Sequence, residues 1–177
     1  TDRAFGNADT LATSYSILSA ASTQDKYDMI FCGKESLDGA TGQMGAQLAQ
    51  RFEAAQVTGT LLIKEVNEEA KTAVVERELE DGVETLEVKL PCLFTMEKVN
   101  YPARIPNLKG KLAAKKAVIT TITADDIPGL DRGRIGDPGS PTKVPRMFPP
   151  VMPEPGIIID EGSVEASVAK LMQLIKD

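Results

Sequence analysis

Apolar positions along the chain follow two periods, and the change between them divides it into elements. Behind Asp9, placed to act as an N-cap, Leu11, Tyr15, Leu18 and Ser22 recur at helical spacing and predict a helix over residues 10–23. Tyr27 to Cys32 is a short unbroken apolar run, which predicts a strand buried on both faces of a parallel sheet. It stops at Gly33, and the loop GKESLDGATG leads into residues 43–55, where Met44, Leu48 and Phe52 mark one face of a second helix. From Thr58 the period shortens to that of strands. Leu61 to Val66, Thr72 to Leu79 and the alternating Val83 to Leu90 predict an antiparallel hairpin pair, with Asp81-Gly82 as a tight turn. Cys92 to Met96 and Val118 to Thr123 read as further buried strands, separated by an irregular basic segment over residues 100–116. The fold class expected is α/β, an open and mostly parallel sheet carrying an antiparallel hairpin.

Beyond Asp125 proline and glycine are too dense for a packed core, so residues 125–155 read as an extended arm. Ser163 then caps a last helix whose Val164, Val168, Leu171, Leu174 and Ile175 form an apolar stripe. The organisation expected is an α/β domain over residues 1–124, followed by an arm and C-terminal helix over 125–177. The arm and helix are expected to face a partner, because neither has enough of itself to bury.

Composition narrows the chemistry. Of 177 residues, 42% are hydrophobic and 26% charged, the profile of an ordinary globular chain. No apolar run reaches the ~20 residues that cross a bilayer. Lys and Arg number 20 against 26 Asp and Glu, a net charge of −6 that disfavours a nucleic-acid surface. Histidine is absent, which excludes Ser-His-Asp and Cys-His catalysis and leaves no expectation of a metal site. Cys32 and Cys92 sit in apolar contexts and read as small buried thiols, ahead of a disulfide or a reactive thiol. With no basic-then-apolar leader in view, the compartment expected is the cytoplasm.

The loop from Gly33 to Gln43 follows a buried strand and enters a helix, which is where open α/β sheets bind ligands and where helix N–H groups meet anions. Thr41 adds a hydroxyl donor, and Gly39 and Gly42 let the backbone approach a phosphate closely. In an acidic protein, backbone donors rather than a basic field would hold that anion. The competing reading is that Gly39, Gly42 and Gly45 only make a tight turn and a close helix-to-strand contact. Spacing alone leaves both readings open, since the loop is neither a Walker loop nor a GxGxxG. A second feature stands out in an acidic chain: Arg104, Lys109, Lys111, Lys115 and Lys116 surround Leu108. A basic segment with one apolar anchor suits docking, the alternative being a solvated loop with Leu108 tucked into the core.

Several blocks then fall in order along nearly the whole chain: residues 2–14 (DRAFGNADTLATS), Cys32-Gly33-Lys34, Leu37-Asp38-Gly39-Ala40-Thr41-Gly42-Gln43-Met44-Gly45, Val88-Lys89-Leu90-Pro91, residues 104–110 (RIPNLKG) with Ala114-Lys115-Lys116, and Gly139-Ser140-Pro141-Thr142. In this order they resemble the β subunit of electron transfer flavoprotein. The resemblance implies a Rossmann-like adenine-nucleotide-binding sheet over residues 1–124, and a heterodimer with an α subunit that carries electrons from acyl-CoA or other flavin dehydrogenases to an acceptor. It implies a nucleotide held by the loop of residues 38–45: AMP in the simple carriers, a second FAD in the bifurcating ones. The Asp-Gly-x-Thr form and the Gly-Ser-Pro-Thr block look more like the bifurcating and nitrogen-fixation branch, which favours FAD. Site residues carried over are Thr10, Thr13, Cys32, Gly33, Asp38, Gly39, Thr41, Gly42, Gln43 and Met44 for the nucleotide, with Thr10 and Thr13 facing it from the helix start. Arg104, Leu108 and Lys109 are carried over as the dehydrogenase-docking residues.

Departures accompany the match. Ala40 stands where the family usually has a second acid, and Ala103 stretches the spacing between Asn100 and Arg104. The family's opening strands have no counterpart before Thr1, so the nucleotide pocket is expected to be half built by these residues alone. Two other readings compete: a non-redox adenine-nucleotide module of the universal-stress type, and an inactive piece of the subunit.

Overall fold

The computed structural model describes residues 2–24, 26–98, 102–153 and 155–176. Two compact units divide after Lys143. In the first, helix α1 (Thr10–Ala21) begins at Asp9, whose carboxylate accepts the Ala12 N–H at 3.0 Å, the cap that the sequence predicted. Strand β1 (Met29–Gly33) runs into the glycine-rich loop, and helix α2 (Met44–Arg51) follows. Strands β2 (Ala55–Asn67), β3 (Thr72–Leu79), β4 (Gly82–Lys89) and β5 (Cys92–Met96) complete one five-stranded sheet in the order β1-β5-β2-β3-β4. β5 pairs in parallel with both β1 and β2, whereas β3 pairs antiparallel with β2 and β4. The sheet is therefore mixed and open, α/β as expected.

β2 changes partners along its length. Residues 55–60 run beside β5, and residues 60–67 run beside β3. Gly59 sits at the change with φ of 68° and donates its N–H to Thr95 Oγ1 at 3.1 Å. A Cβ there would come within 3.0 Å of the Glu78 carbonyl, so the crossing needs a glycine twice over. The β3–β4 turn is Glu80-Asp81, because Gly82 already pairs with Leu79; the expected Asp81-Gly82 turn lies one residue earlier.

β5 is the centre of the core. Leu93 faces α2 with Leu48 and Ala49, while Cys92 and Phe94 face Val57, Ala73 and Val75 on the other side. β1, by contrast, is an edge strand among the described residues, and Phe31, stacked on Phe94, remains 55% exposed. An edge position explains why its apolar run is not buried on both faces. Val118 to Thr123 form no strand, and Val118 is 93% exposed. The segment before it, expected to be irregular, carries helix α3 (Leu108–Lys116), capped by Asn107, whose side chain accepts the Gly110 N–H at 2.8 Å.

Residues 124–143 fold back against α1 instead of opening into the arm expected from Asp125. Ile127 and Ile135 are buried, the Asp131 N–H donates to the Tyr15 hydroxyl at 3.1 Å, and the Arg134 guanidinium lies 4.1 Å from the centre of the Tyr15 ring. A few well-placed isoleucines and a long-range hydrogen-bond set order a segment whose composition looked unpackable. The second unit, residues 144–177, carries helix α4 (Val164–Lys176), started by Ser163, whose hydroxyl accepts the Ala166 N–H at 3.2 Å. The helix forms where the stripe predicted it, and Val164, Val168, Leu171, Leu174 and Ile175 are exposed along it.

Candidate functional site

At the carboxyl end of β1 the loop of residues 33–43, the start of α2 and the start of α1 enclose a cleft of about 870 Å³. Thr10, Thr13, Cys32, Gly33, Asp38, Gly39, Thr41, Gly42, Gln43 and Met44 all line it, so every nucleotide-site residue expected from the sequence converges on one place. Thr142 lines it as well. The volume lies within the ~300–1,000 Å³ usual for ligand and cofactor clefts.

The loop turns tightly on left-handed residues. Ala40 and Gly42 have φ of 46° and 62°, the left-handed region, and the Ala40 N–H returns to the Ser36 carbonyl at 2.8 Å. A Cβ on Gly42 would meet only the Lys34 carbonyl at 4.0 Å, so that glycine is required by its backbone angle and not by crowding. Gly45 shows the opposite. Its Cβ would fall 2.3 Å from Thr95 Cγ2, so this glycine lets α2 lie directly on β5. Gly42 thus serves the turn and Gly45 the close helix-to-strand contact, the two parts of the packing reading weighed for these glycines.

Gln43 stands at the N-cap of α2 and its side chain makes no capping bond. The Gln43 N–H donates to Thr41 Oγ1 at 3.4 Å, whereas among the described residues no side chain accepts the Met44 and Gly45 N–H groups, which with the helix dipole favour an anion. Three of the charged side chains that line the cleft, Lys34, Asp38 and Asp9, are already engaged, and Glu35 lines it as well. Lys34 is held by Glu97 at 2.7 Å, and that hydrogen bond raises its pKa. The Ser36 side chain, then the N–H groups of Asp38 and Gly39, hold the Asp38 carboxyl below its usual range. At Asp9 partial burial works against the charge, but donors from Ala12, Thr142 and Leu11 outweigh it and lower the pKa. Hydroxyls and backbone N–H groups are the donors left to an anion, a set that fits a phosphate without a basic field.

Sequence reasoning took Asp9 for a cap and missed its second role. Its other oxygen accepts the Thr142 N–H at 3.1 Å, and its own N–H donates to Ser140 Oγ at 2.8 Å. Ser140 is buried and donates in turn toward the Gly136 carbonyl at 2.7 Å. The Gly-Ser-Pro-Thr block is thereby tied to the start of α1, and its Thr142 lines the cleft. Cys32 is half-buried and burial pushes its thiol up, while Cys92 is buried and pushed up to about 11; both are free. Neither is a reactive thiol by that measure. Among the described residues no cluster of acids and cysteines is arranged to hold a metal, and no helix is long and apolar enough to cross a membrane.

Arg104, Leu108 and Lys109 are not part of the cleft. All three are exposed, as is every residue from 102 to 121, and Leu108 is 74% exposed. Leu108 is thus not tucked into the core. Asn100 and Tyr101, where the spacing is stretched, lie outside the described residues.

Fold and cleft together define an open α/β protein with an anion-ready crevice at the end of a parallel strand. Comparison with known proteins gives the family: the Electron transfer flavoprotein domain matches residues 1–127, and the chain belongs to that family. It is 40% identical over 175 residues to the electron transfer flavoprotein subunit beta of Thermoanaerobacterium thermosaccharolyticum, covering 98% of this chain and 65% of that protein. It is 36% identical over 176 residues to the caffeyl-CoA reductase-Etf complex subunit CarD of Acetobacterium woodii, covering 99% and 66%. Protein FixA of Bradyrhizobium diazoefficiens is 34% identical over 171 residues, covering 94% and 59%. The chain thus spans about two-thirds of the length of the first two of these relatives and somewhat less of the third. Family membership does not favour the universal-stress reading.

Proposed function

We propose that this chain is the portion of an electron transfer flavoprotein β subunit that holds the phosphate of an adenine nucleotide, within a heterodimer whose α subunit carries the electron-transferring partner site. The observation that supports it most directly is the convergence of ten residues from the start of α1, the end of β1, the glycine-rich loop and the start of α2 on one cleft. N–H groups from Thr41 to Met44 and the Thr41 hydroxyl are the donors proposed for the phosphate, with Gly42 giving room. Thr13 approaches from the start of α1. The nucleotide proposed is FAD, with AMP as the alternative; the Asp-Gly-x-Thr form of the loop favours FAD. When bound, a flavin would supply one- and two-electron chemistry, and an AMP would supply none. The chain's own residues bind and orient.

Docking on acyl-CoA or another flavin dehydrogenase is assigned to Arg104, Leu108 and Lys109, supported by the full exposure of α3 and its surroundings. A cytoplasmic setting is supported by the two free cysteines. The test is nucleotide content after co-purification with the α subunit. The expected result is an adenine nucleotide retained by the β subunit, identified as FAD or AMP by chromatography, and lost when Gly42→Val forces a β-branched residue into a left-handed backbone. Unchanged content and affinity in Gly42→Val would show that the loop glycines serve packing alone.

A further inference from the structure

Behind the cleft, the interface of α1 and α2 carries a chain of hydrogen bonds that ends on one of its lining residues. Arg51 Nε donates to Ser14 Oγ at 2.8 Å, and Ser14 is fully buried. The Ser14 hydroxyl has two acceptors within reach, Gln47 Oε1 at 2.9 Å and the Leu11 carbonyl at 3.0 Å. That carbonyl already accepts Arg51 Nη2 at 3.1 Å as well as the helix's own bond, which fill its two lone pairs. The Ser14 proton therefore goes to Gln47. Gln47 then presents Nε2 to Thr10 Oγ1 at 3.1 Å, and the Thr10 hydroxyl donates to Gln43 Oε1 at 2.9 Å. A guanidinium only donates, so the Arg51 end sets the direction and each group passes a proton on in the same sense. At the far end the Gln43 carbonyl is turned to Thr10. Its amide N–H₂ has no acceptor among the described residues, and Gln43 lines the cleft.

We infer that Arg51, Ser14 and Gln47 are positioning residues that fix the Gln43 amide with its N–H donors toward an anionic group in the cleft. The inference rests on reading the cleft as a phosphate site. It also reassigns Thr10, whose proton is committed to Gln43, so Thr10 acts on the ligand through that amide. Were the chain to run in the other direction, Gln43 would turn its carbonyl oxygen to the cleft and repel a phosphate.

The test titrates the full-length protein, freed of nucleotide, with AMP and separately with adenosine. Gln47→Glu is the sharpest variant, because a carboxylate accepts from both Ser14 and Thr10 and so reverses the amide of Gln43. AMP affinity should fall roughly tenfold, the worth of one charge-assisted hydrogen bond, while adenosine affinity stays within about twofold. Arg51→Met should act in the same direction, and Arg51→Lys, still a pure donor, should restore most of the AMP affinity. A role confined to packing α1 on α2 would weaken AMP and adenosine alike, with no rescue by lysine. That equal loss, or an unchanged AMP affinity in Gln47→Glu, would overturn the inference and leave the cleft as a phosphate site. Wild-type protein with no preference for AMP over adenosine would overturn both.

Discussion

The cleft beside β1 and the basic segment around α3 both stood out in the sequence, and the structure builds them in opposite ways. In the cleft, side chains distant in sequence converge: Asp9 is bonded to Ser140 and Thr142, and Thr10 to Gln43 and Gln47. Around α3 nothing converges, and every residue from 102 to 121 is exposed. A small ligand needs donors fixed in place, which takes long-range bonds; a macromolecular partner needs accessible area and charge, which exposure alone supplies. Substitutions at the first region should therefore disturb the fold and the ligand together, and those at the second should leave the fold alone.

The largest expected effect on the fold is at Gly45. With Thr95 in the way of any Cβ, Gly45→Val must push α2 off β5, an overpacking cost of about 1–3 kcal/mol or more, read as a lower midpoint in denaturant unfolding. An unchanged midpoint would mean that α2 does not sit on β5 as described. Asp9→Ala comes next, because it removes a helix cap and the tie to Thr142 together. A loss of about 1–2 kcal/mol is expected from the cap, with a matching drop in nucleotide retention. The acid dependence follows from the sign of the shift. The folded Asp9 pKa lies below its ordinary 3.8, so its contribution is present above that value and fades as pH falls through and below it. Asp9→Ala should therefore narrow the stability difference from wild type only at strongly acidic pH. The smallest effect on the fold belongs to Leu108→Ala, within about 0.5 kcal/mol of wild type because the side chain is already 74% exposed. Yet the same change should weaken association with the proposed flavin-dehydrogenase partner, measured by surface binding kinetics. A marked destabilisation with unimpaired docking would reverse the contrast between the two regions.

What the sequence disclosed, and what it hid, follows the same division. Local signals carried through: the Asp9 cap, the strand stopping at Gly33, the flexible Gly42 and the period-two hairpin all depend on neighbours within a few residues. The α3 helix had a local signal as well, Asn107 before Leu108 and Leu112 four apart, but its lysines masked the pattern. Val118 to Thr123 failed as a strand because β-propensity reports a place in a sheet, and no described strand offers it one. The tie from Ser140 to Asp9 and the bonds that link Arg51 to Gln43 through α1 span intervals of more than 30 residues and leave no periodic trace. Single serines and glutamines carry no such information until the fold brings them together.

The most direct measurement of the central claim is a residue-resolved amide NMR titration of the protein with AMP. The account predicts shifts concentrated at Thr10, Thr13 and the backbone of Thr41 to Gly45, with residues 102–121 unmoved. Shifts centred on α3, or spread without reference to the start of α2, would contradict it.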